Sequence, residues 1–239
     1  MNLEEDLDYT YKLIVDNFNI NFKKPVILDT KQYANKFFKI NSLRSLLFYI
    51  DAALFDDETN GIFIPEPIIL KNRSERIYKL LHENAHSLSC QLNKEFLTKR
   101  MEVLEKENKD KWFTYLSFQE GIADYIAIEC CKKTGNPSII EFGNNRERRL
   151  KNSLFEWKYN GNIEIMSLVY KIDLSKWQEI FIEYVKRNID AAFPYSYDIG
   201  YYFISRTDVD SLEKVIKNPP ISLKEVLYPE SYKIQNNSN

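Results

Sequence analysis

The feature that most constrains this chain is the spacing of its two histidines, His82 and His86. They lie four residues apart in LLHENAHSL, with Glu83 directly after the first. Residues four apart on an α-helix lie on one face, one turn apart, so both imidazoles project in the same direction. The apolar residues of this region fall on a separate arc: Ile77, Leu80, Leu81, Ala85 and Leu88. The spacing therefore predicts an amphipathic helix whose polar face carries both histidines.

Two imidazoles on adjacent turns of one helix are typical of a helical zinc site. Glu83 lies about 100° round the helix from His82, because an α-helix has 3.6 residues per turn. Its carboxylate is thereby placed beside the metal, where it can accept a proton from water without being a ligand. The pattern predicts one Zn²⁺ ion per chain, held in part by His82 and His86.

The third ligand follows from the residues that remain. A catalytic zinc commonly has three protein ligands and one position open to water. No third histidine exists, so the ligand must be an acid or a cysteine. Cys90 is one candidate, although a small buried thiol is the more common role of such a residue. Glu120 and Asp124, in FQEGIADYIA, share a helix face. We expect Glu120 to bind zinc and Asp124 to accept a hydrogen bond from the ring of a ligand histidine.

HENAH followed by EGIAD resembles the gluzincin group of zinc metallopeptidases, and uncharacterised bacterial and archaeal peptidase MA-like proteins. The resemblance implies that Glu83 is the general base and takes a proton from a metal-held water as it attacks a peptide carbonyl. It also implies the same zinc ligands, His82, His86 and Glu120, and Asp124 as the support of a ligand histidine. The spacer between His86 and Glu120 is longer than in the best-known gluzincins, and a charged helix near residues 91–110 fills it.

The resemblance continues downstream, in FPYSYDIGYYF and NPPISLKEVLYPESY. Relatives have a Tyr-x-x-Gly helix here, which corresponds to residues 197–200, and then a Pro-Pro segment. Tyr228 stands where relatives often have a histidine, so it offers no further ligand. Some gluzincins stabilise the tetrahedral oxyanion with a distal histidine. Because this chain has no third histidine, a tyrosine or arginine must stabilise the oxyanion here. Tyr197 is our first choice and Tyr195 our second.

Strand signals come early in the chain and helix signals come late. PVILD predicts a short strand, and two β-rich runs on either side of Asn60-Gly61 predict a hairpin. This order predicts a predominantly helical α+β fold. With the resemblance, we expect one zincin-like domain over residues 1–233 and a flexible tail at 234–239. Its upper lobe, about 1–92, would hold a small sheet and the active-site helix, and its lower lobe, about 93–233, would be helical.

Zincins pair an edge strand that precedes the metal helix with the extended backbone of a substrate, by β-addition. The resemblance therefore implies that residues 62–64 or 50–54 line the upper part of the cleft. Such a cleft favours peptides over small molecules as substrates.

Composition restricts the partners. The chain has 33 Lys and Arg against 35 Asp and Glu, which argues against a general nucleic-acid binder. The apolar runs are too short to span a bilayer, and the acidic N-terminus is unlike a signal peptide. Three cysteines do not build a disulfide framework. We expect a cytoplasmic protein that acts on peptide or protein substrates, with no nucleic-acid or membrane partner and an oligomeric state that the sequence leaves open.

Two alternative hypotheses accompany the peptidase. The first is a regulatory protease similar to the ImmA/IrrE group, which EGIADYIA also resembles, although no helix-turn-helix is evident. The second is a non-catalytic zincin-fold module that keeps the metal for binding or interaction. An intact Glu83 argues against the second hypothesis, because a structural zinc site needs no base and usually has four protein ligands.

Overall fold

The computed structural model of this protein describes residues 2–28, 53–65, 72–159, 162–207 and 211–232, the side chains of 154–159 and 162 excepted. Helices account for 74% of these residues, and three short strands form a small sheet. This confirms the predicted α+β fold that is predominantly helical. The chain divides into two compact units: unit 1 comprises residues 1–91 and 126–145, and unit 2 comprises 92–125 and 146–239. The single domain with lobes of about 1–92 and 93–233 stays a prediction.

Unit 1 holds the sheet and most of the histidine-bearing helix. Its elements are α1 (Leu3–Phe18), β1 (Val26–Ile27), β2 (Leu54–Asp56), β3 (Gly61–Phe63) and α2 (Arg73–Leu92). In the sheet, β3 lies between β1, to which it is parallel, and β2, to which it is antiparallel. The β2–β3 pair confirms the predicted hairpin. Asn60 ends its turn in the left-handed conformation, with φ of 51°, which asparagine tolerates better than most residues.

The sheet topology corrects one expectation. Ile62 pairs with β1 on one side and with β2 on the other, so its backbone is not at a sheet edge. The proposal that residues 62–64 offer an edge strand to a substrate is therefore wrong at Ile62. The other candidate, 50–54, is described only at 53 and 54, and 50–52 lie outside the described residues. Leu54 begins β2, which is an outer strand of the described sheet.

An apolar core joins the helices and the sheet of unit 1. Its buried members are Leu7, Ala53, Ile62, Ile64 and Leu80. Polar contacts fix α1 against α2 at the edge of this core. Asp6 forms ion pairs of 3.0 Å with Arg73 and 2.7 Å with Arg76, whose side chain is only 1% exposed. Because a buried guanidinium needs a partner, this pair restricts how α1 and α2 can pack.

Unit 2 is helical in its described part, and two long helices pass from one unit into the other without a break. These two are α4 (Lys109–Lys132) and α5 (Pro137–Tyr159). The other helices are α3 (Thr98–Glu107), α6 (Asn162–Tyr170), α7 (Trp177–Arg187), α8 (Ile189–Ala192), α9 (Ser196–Ile204), α10 (Leu212–Lys217) and α11 (Leu223–Leu227). Short 3-10 turns occupy Lys94–Phe96, Phe193–Tyr195 and Pro229–Ser231. The charged segment predicted near 91–110 is thus a 3-10 turn and α3, followed by the start of α4.

A run of aromatic contacts forms much of the core of unit 2. Ring centroids are 5.7 Å apart between Phe96 and both Tyr115 and Phe118, 5.8 Å between Phe118 and Phe203, and 5.1 Å between Phe203 and Tyr232. Aromatic pairs at these separations add to the stabilisation from burial alone. They connect the 3-10 turn at 94–96 with α4, α9 and the C-terminal end of the described chain.

Two helices of unit 2 touch backbone to backbone, where α4 meets α9. A Cβ added to Gly121 would lie 2.0 Å from the carbonyl carbon of Gly200, and one added to Gly200 would lie 1.7 Å from the Ser117 carbonyl oxygen. Each helix has a serine four residues before its glycine, Ser117 on α4 and Ser196 on α9, and both serines are fully buried. Small residues one turn apart on both helices allow this approach.

All three cysteines are buried, and none of them forms a disulfide. Burial raises the pKa of Cys130 and of Cys131 to about 12, so these thiols stay protonated at neutral pH. Within the described parts of the chain, no helix combines the length and apolarity needed to cross a membrane.

Replacing Asp6 should destabilise the protein. We expect Asp6→Ala to lower the free energy of unfolding by about 3–5 kcal/mol, because it removes a carboxylate that pairs with a buried guanidinium. Asp8→Ala is the matched control on the same helix. Asp8 pairs with Lys24 at an exposed position, so its loss should have a much smaller effect. Urea denaturation of the two variants measures the difference, and equal effects would contradict the structural role of the Asp6 pair.

The sign of the stability change in Gly200→Ala shows whether Gly200 is closely packed or lies at an open helical position. At an open helical position, Gly→Ala stabilises by about 1 kcal/mol. At the crossing, Gly200→Ala should instead destabilise by about 1–3 kcal/mol, because the methyl group must displace the Ser117 carbonyl or separate α4 from α9. Thermal and urea unfolding measure whether the variant is more or less stable than wild type. Gly121→Ala should behave alike, and stabilisation by either variant would show that the helices do not touch here.

Candidate metal centre

Helix α2 forms because its sequence supplies both a cap and an apolar face. The Asn72 side chain accepts a hydrogen bond of 2.8 Å from the backbone N–H of Glu75, which caps the first turn. The predicted apolar arc is fully buried: Ile77, Leu80, Leu81, Ala85 and Leu88 are all 0% exposed. His82 and His86 are buried as well, at 8% and 9% exposed. The face that carries the histidines is therefore enclosed by protein, which the hydrophobic pattern alone did not indicate.

The two histidine rings converge. The Nε2 atoms of His82 and His86 are 3.0 Å apart, and the ring planes meet at 79°. Two nitrogens that bind one zinc at bond lengths of about 2.0–2.1 Å in a tetrahedral site are separated by about 3.4 Å. The observed separation is close to that value, so one ion can contact both rings after a small adjustment.

Glu120 completes a group of three possible ligands. His82, His86 and Glu120 each offer one ligand atom, and these atoms all lie within 4.8 Å of one another. Glu120 is half-buried on α4. Two imidazole nitrogens and one carboxylate oxygen form a donor set that zinc binds at catalytic sites. The residues present fit a zinc ion.

Glu83 and Asn84 follow His82 and are both buried, Glu83 at 5% exposed and Asn84 at 0%. The Asn84 amide donates hydrogen bonds to the Thr10 hydroxyl, at 3.2 Å, and to the Leu80 carbonyl, at 2.8 Å. Asn84 therefore ties the middle of α2 to α1, next to the predicted general base. Near the end of α2, the Ser87 hydroxyl donates to the Asn60 side chain at 2.7 Å, which connects the same helix to the hairpin turn.

Asp124 has a partner that the sequence analysis did not identify. It is 0% exposed, and its Oδ2 accepts a hydrogen bond of 2.7 Å from Arg146 Nη2. Arg146 lies in a basic run, RERR, on α5, but nothing in its spacing relates it to α4. The sequence signal was the basic run alone, which is typical of a solvated helix face. That Asp124 also orients a ligand histidine stays a prediction.

The two candidate oxyanion donors have different surroundings. The guanidinium carbon of Arg146 lies 5.7 Å from the ring centroid of Tyr197, which is half-buried at the start of α9. Tyr195 meets the ring of Phe181 edge-on, with centroids 6.2 Å apart. Tyr197 thus shares a neighbour with Asp124, whereas Tyr195 has a described contact with an apolar core residue.

Asp198, the residue after Tyr197, is a buried carboxylic acid that the sequence analysis did not single out. It is 8% exposed, and the Ser153 hydroxyl donates to its Oδ2 at 2.7 Å. Burial raises its pKa from 3.8 to about 6, and the nearby Asp124 charge acts in the same direction, while Ser153 and Arg146 oppose them. Asp198 therefore fixes α9 to α5 through a group whose charge is disfavoured in the folded state.

Compared with known proteins, the chain matches no family model, no curated protein and no solved structure. Any functional proposal therefore depends on the arrangement of these residues.

The raised pKa of Asp198 predicts how stability changes with pH. The folded protein binds a proton at Asp198 more tightly than the unfolded chain does. The stabilisation that this proton gives the folded protein is therefore fully present below pH 3.8, and it is lost as the pH rises through about 6. A shift of this size corresponds to about 3 kcal/mol. We therefore expect Asp198→Asn, which cannot ionise, to be more stable than wild type at pH 7 and to lose that advantage near pH 4.

Chemical denaturation at the two pH values measures this effect. Asp190→Asn is the control, because Asp190 is exposed and its replacement should leave stability unchanged at both. An Asp198→Asn advantage that is equal at pH 4 and pH 7 would contradict the role of burial.

Proposed function

We propose that this protein is a zinc-dependent peptidase of gluzincin type with a zincin-like fold. The observation that supports the proposal is the group formed by His82, His86 and Glu120, whose ligand atoms lie within 4.8 Å of one another. The histidines come from one helix face and the acid from a separate helix, the combination that HENAH and EGIAD predict. Glu83, which a purely structural site would not need, stands next to the first histidine and is buried.

In this proposal, His82, His86 and Glu120 hold the zinc ion. When bound, zinc would supply Lewis acidity to the scissile carbonyl and to the attacking water. Glu83 accepts the proton of that water and later donates it to the leaving amine. The enclosed position of Glu83, at 5% exposed, limits competition from bulk water for the carboxylate.

Two further residues act on the same reaction. Asp124 keeps one ligand histidine in the required tautomer and orientation by accepting a hydrogen bond from its ring. The Tyr197 hydroxyl donates a hydrogen bond to the oxyanion that develops on the carbonyl. The contact of the Tyr197 ring with Arg146, which binds Asp124, supports this choice over Tyr195.

Peptides or proteins are the substrates that we propose. The outer strand β2 (Leu54–Asp56) can pair with an extended backbone by β-addition, whereas β3 is occupied on both sides. Three cysteines outside any disulfide suit a reducing compartment, and we propose the cytoplasm. We propose no nucleic-acid partner, because basic and acidic residues balance.

Metal analysis combined with a peptide-library cleavage assay tests the proposal. We expect about one zinc per chain in wild type and in Glu83→Gln, because Glu83 is not a ligand. Cleavage should fall by at least about 100-fold in Glu83→Gln, since the amide cannot accept the proton. Glu102→Gln is the matched control, an exposed glutamate on α3 whose replacement should leave both readouts unchanged.

Three outcomes would argue against parts of the proposal. Cleavage that persists in Glu83→Gln would remove Glu83 from the mechanism. Zinc binding without cleavage in every variant would favour the non-catalytic metal-binding module. The absence of bound zinc in wild type would remove the metal centre itself.

A further inference from the structure

We infer that Arg146 is a positioning residue that holds the Asp124 carboxylate and the Tyr197 ring in a fixed relation to each other. The inference rests on the proposed function, because it concerns how two residues with proposed roles at the zinc site are oriented. It adds to that function a residue that neither HENAH nor EGIAD includes.

The contact with Asp124 is the stronger of the two. Asp124 is 0% exposed, and Arg146 Nη2 donates to its Oδ2 at 2.7 Å. A buried carboxylate is costly unless a cation or hydrogen-bond donors compensate its charge. The Arg146 side chain is 25% exposed, so it can compensate the charge without being fully desolvated itself. The guanidinium thus fixes one oxygen of Asp124 from the α5 side.

The contact with Tyr197 uses the face of the aromatic ring. The guanidinium carbon lies 5.7 Å from the ring centroid, within the distance of about 6 Å at which cation–π attraction is significant. A planar guanidinium can donate hydrogen bonds at its edge while it stacks through its face, whereas a lysine ammonium provides a single charged point. Arg146 is therefore suited to contact Asp124 and Tyr197 at once.

Neighbouring contacts show that α5 holds α9 at several points. The Tyr201 hydroxyl donates to Glu147 at 2.9 Å, and the Ser153 hydroxyl donates to Asp198 at 2.7 Å. Tyr197, Asp198 and Tyr201 all lie on α9, so the helix that carries the proposed oxyanion donor is fixed along much of its length. Arg146 also reaches α4, through its hydrogen bond to Asp124.

The first test measures zinc affinity, by chelator competition, for wild type, Arg146→Met and Lys151→Met. We expect Arg146→Met to weaken zinc binding by about 10- to 100-fold, because Asp124 loses a group that orients it. Lys151→Met is the matched control. Lys151 is on the same helix and pairs with Glu147 at 2.7 Å, and its loss should not change zinc affinity. Equal affinities in the two variants would overturn the inference.

The second test is a kinetic double-mutant cycle at saturating zinc, which removes the effect on metal affinity. Tyr197→Phe should lower kcat by about 100-fold or more, because it removes one oxyanion donor. Arg146→Met should lower kcat by about 10- to 100-fold in wild type, through a misplaced Tyr197, with KM little changed. In the Tyr197→Phe background its effect on kcat should be clearly smaller than in wild type, because the hydroxyl that it positions is already absent and only the effect through Asp124 remains.

If the effects of Arg146→Met and Tyr197→Phe on kcat multiply, the two residues act independently. That result would overturn the link between Arg146 and Tyr197. Circular dichroism and thermal unfolding establish that each variant is folded. If Arg146→Met does not fold, Arg146→Lys is measured in its place against the same criteria. If wild type binds zinc but cleaves no peptide, the proposed function fails, and the zinc affinities alone then decide whether Arg146 positions Asp124.

Discussion

The contact between α4 and α9 at Gly121 and Gly200 is the constraint on which the arrangement of unit 2 depends. Backbone atoms meet where a Cβ atom would lie within about 2 Å of its neighbour, so no larger residue fits without moving a helix. Glu120 directly precedes Gly121, and Tyr197 lies three residues before Gly200. The crossing therefore fixes where these two proposed site residues can project from their helices. It also buries the hydroxyls of Ser117 and Ser196 without hydrogen-bond partners among the described residues, at a cost in stability.

Helix α2 is held by a different kind of interaction, through polar groups buried inside unit 1. Asp6 pairs with Arg76 near its start, Thr10 bonds to Asn84 at its middle, and Asn60 bonds to Ser87 near its end. Buried polar contacts of this kind contribute little net stability, because desolvation offsets much of their attraction. They are directional, however, and they restrict rotation and sliding of the helix that presents His82 and His86. We interpret them as setting the register of α2, while the apolar core supplies most of the stability of the unit.

The features that sequence analysis predicted correctly are those encoded in neighbouring residues. The apolar arc of α2 and the hairpin at Asn60 each depend on residues within a few positions of one another. Predictions failed where a feature depended on which elements became neighbours. The substrate strand was assigned partly to Ile62, because the sequence does not indicate that β1 occupies the outer side of β3. Arg146 and Asp198 were not singled out, because charged residues on a helix usually face solvent.

The sequence by itself determined that His82 and His86 share one helix face and that Glu120 and Asp124 share another, because both pairs follow from the period of the α-helix. It also favoured a buried thiol at Cys90, because a small side chain with a weak S–H donor is most often buried. Only the tertiary structure decided that a Glu120 ligand atom lies within 4.8 Å of those of the histidines, and that Asp124 binds Arg146. These contacts join residues 22 or more positions apart, so they depend on how whole helices pack, and helix packing is set by the summed shape of many side chains rather than by any local pattern.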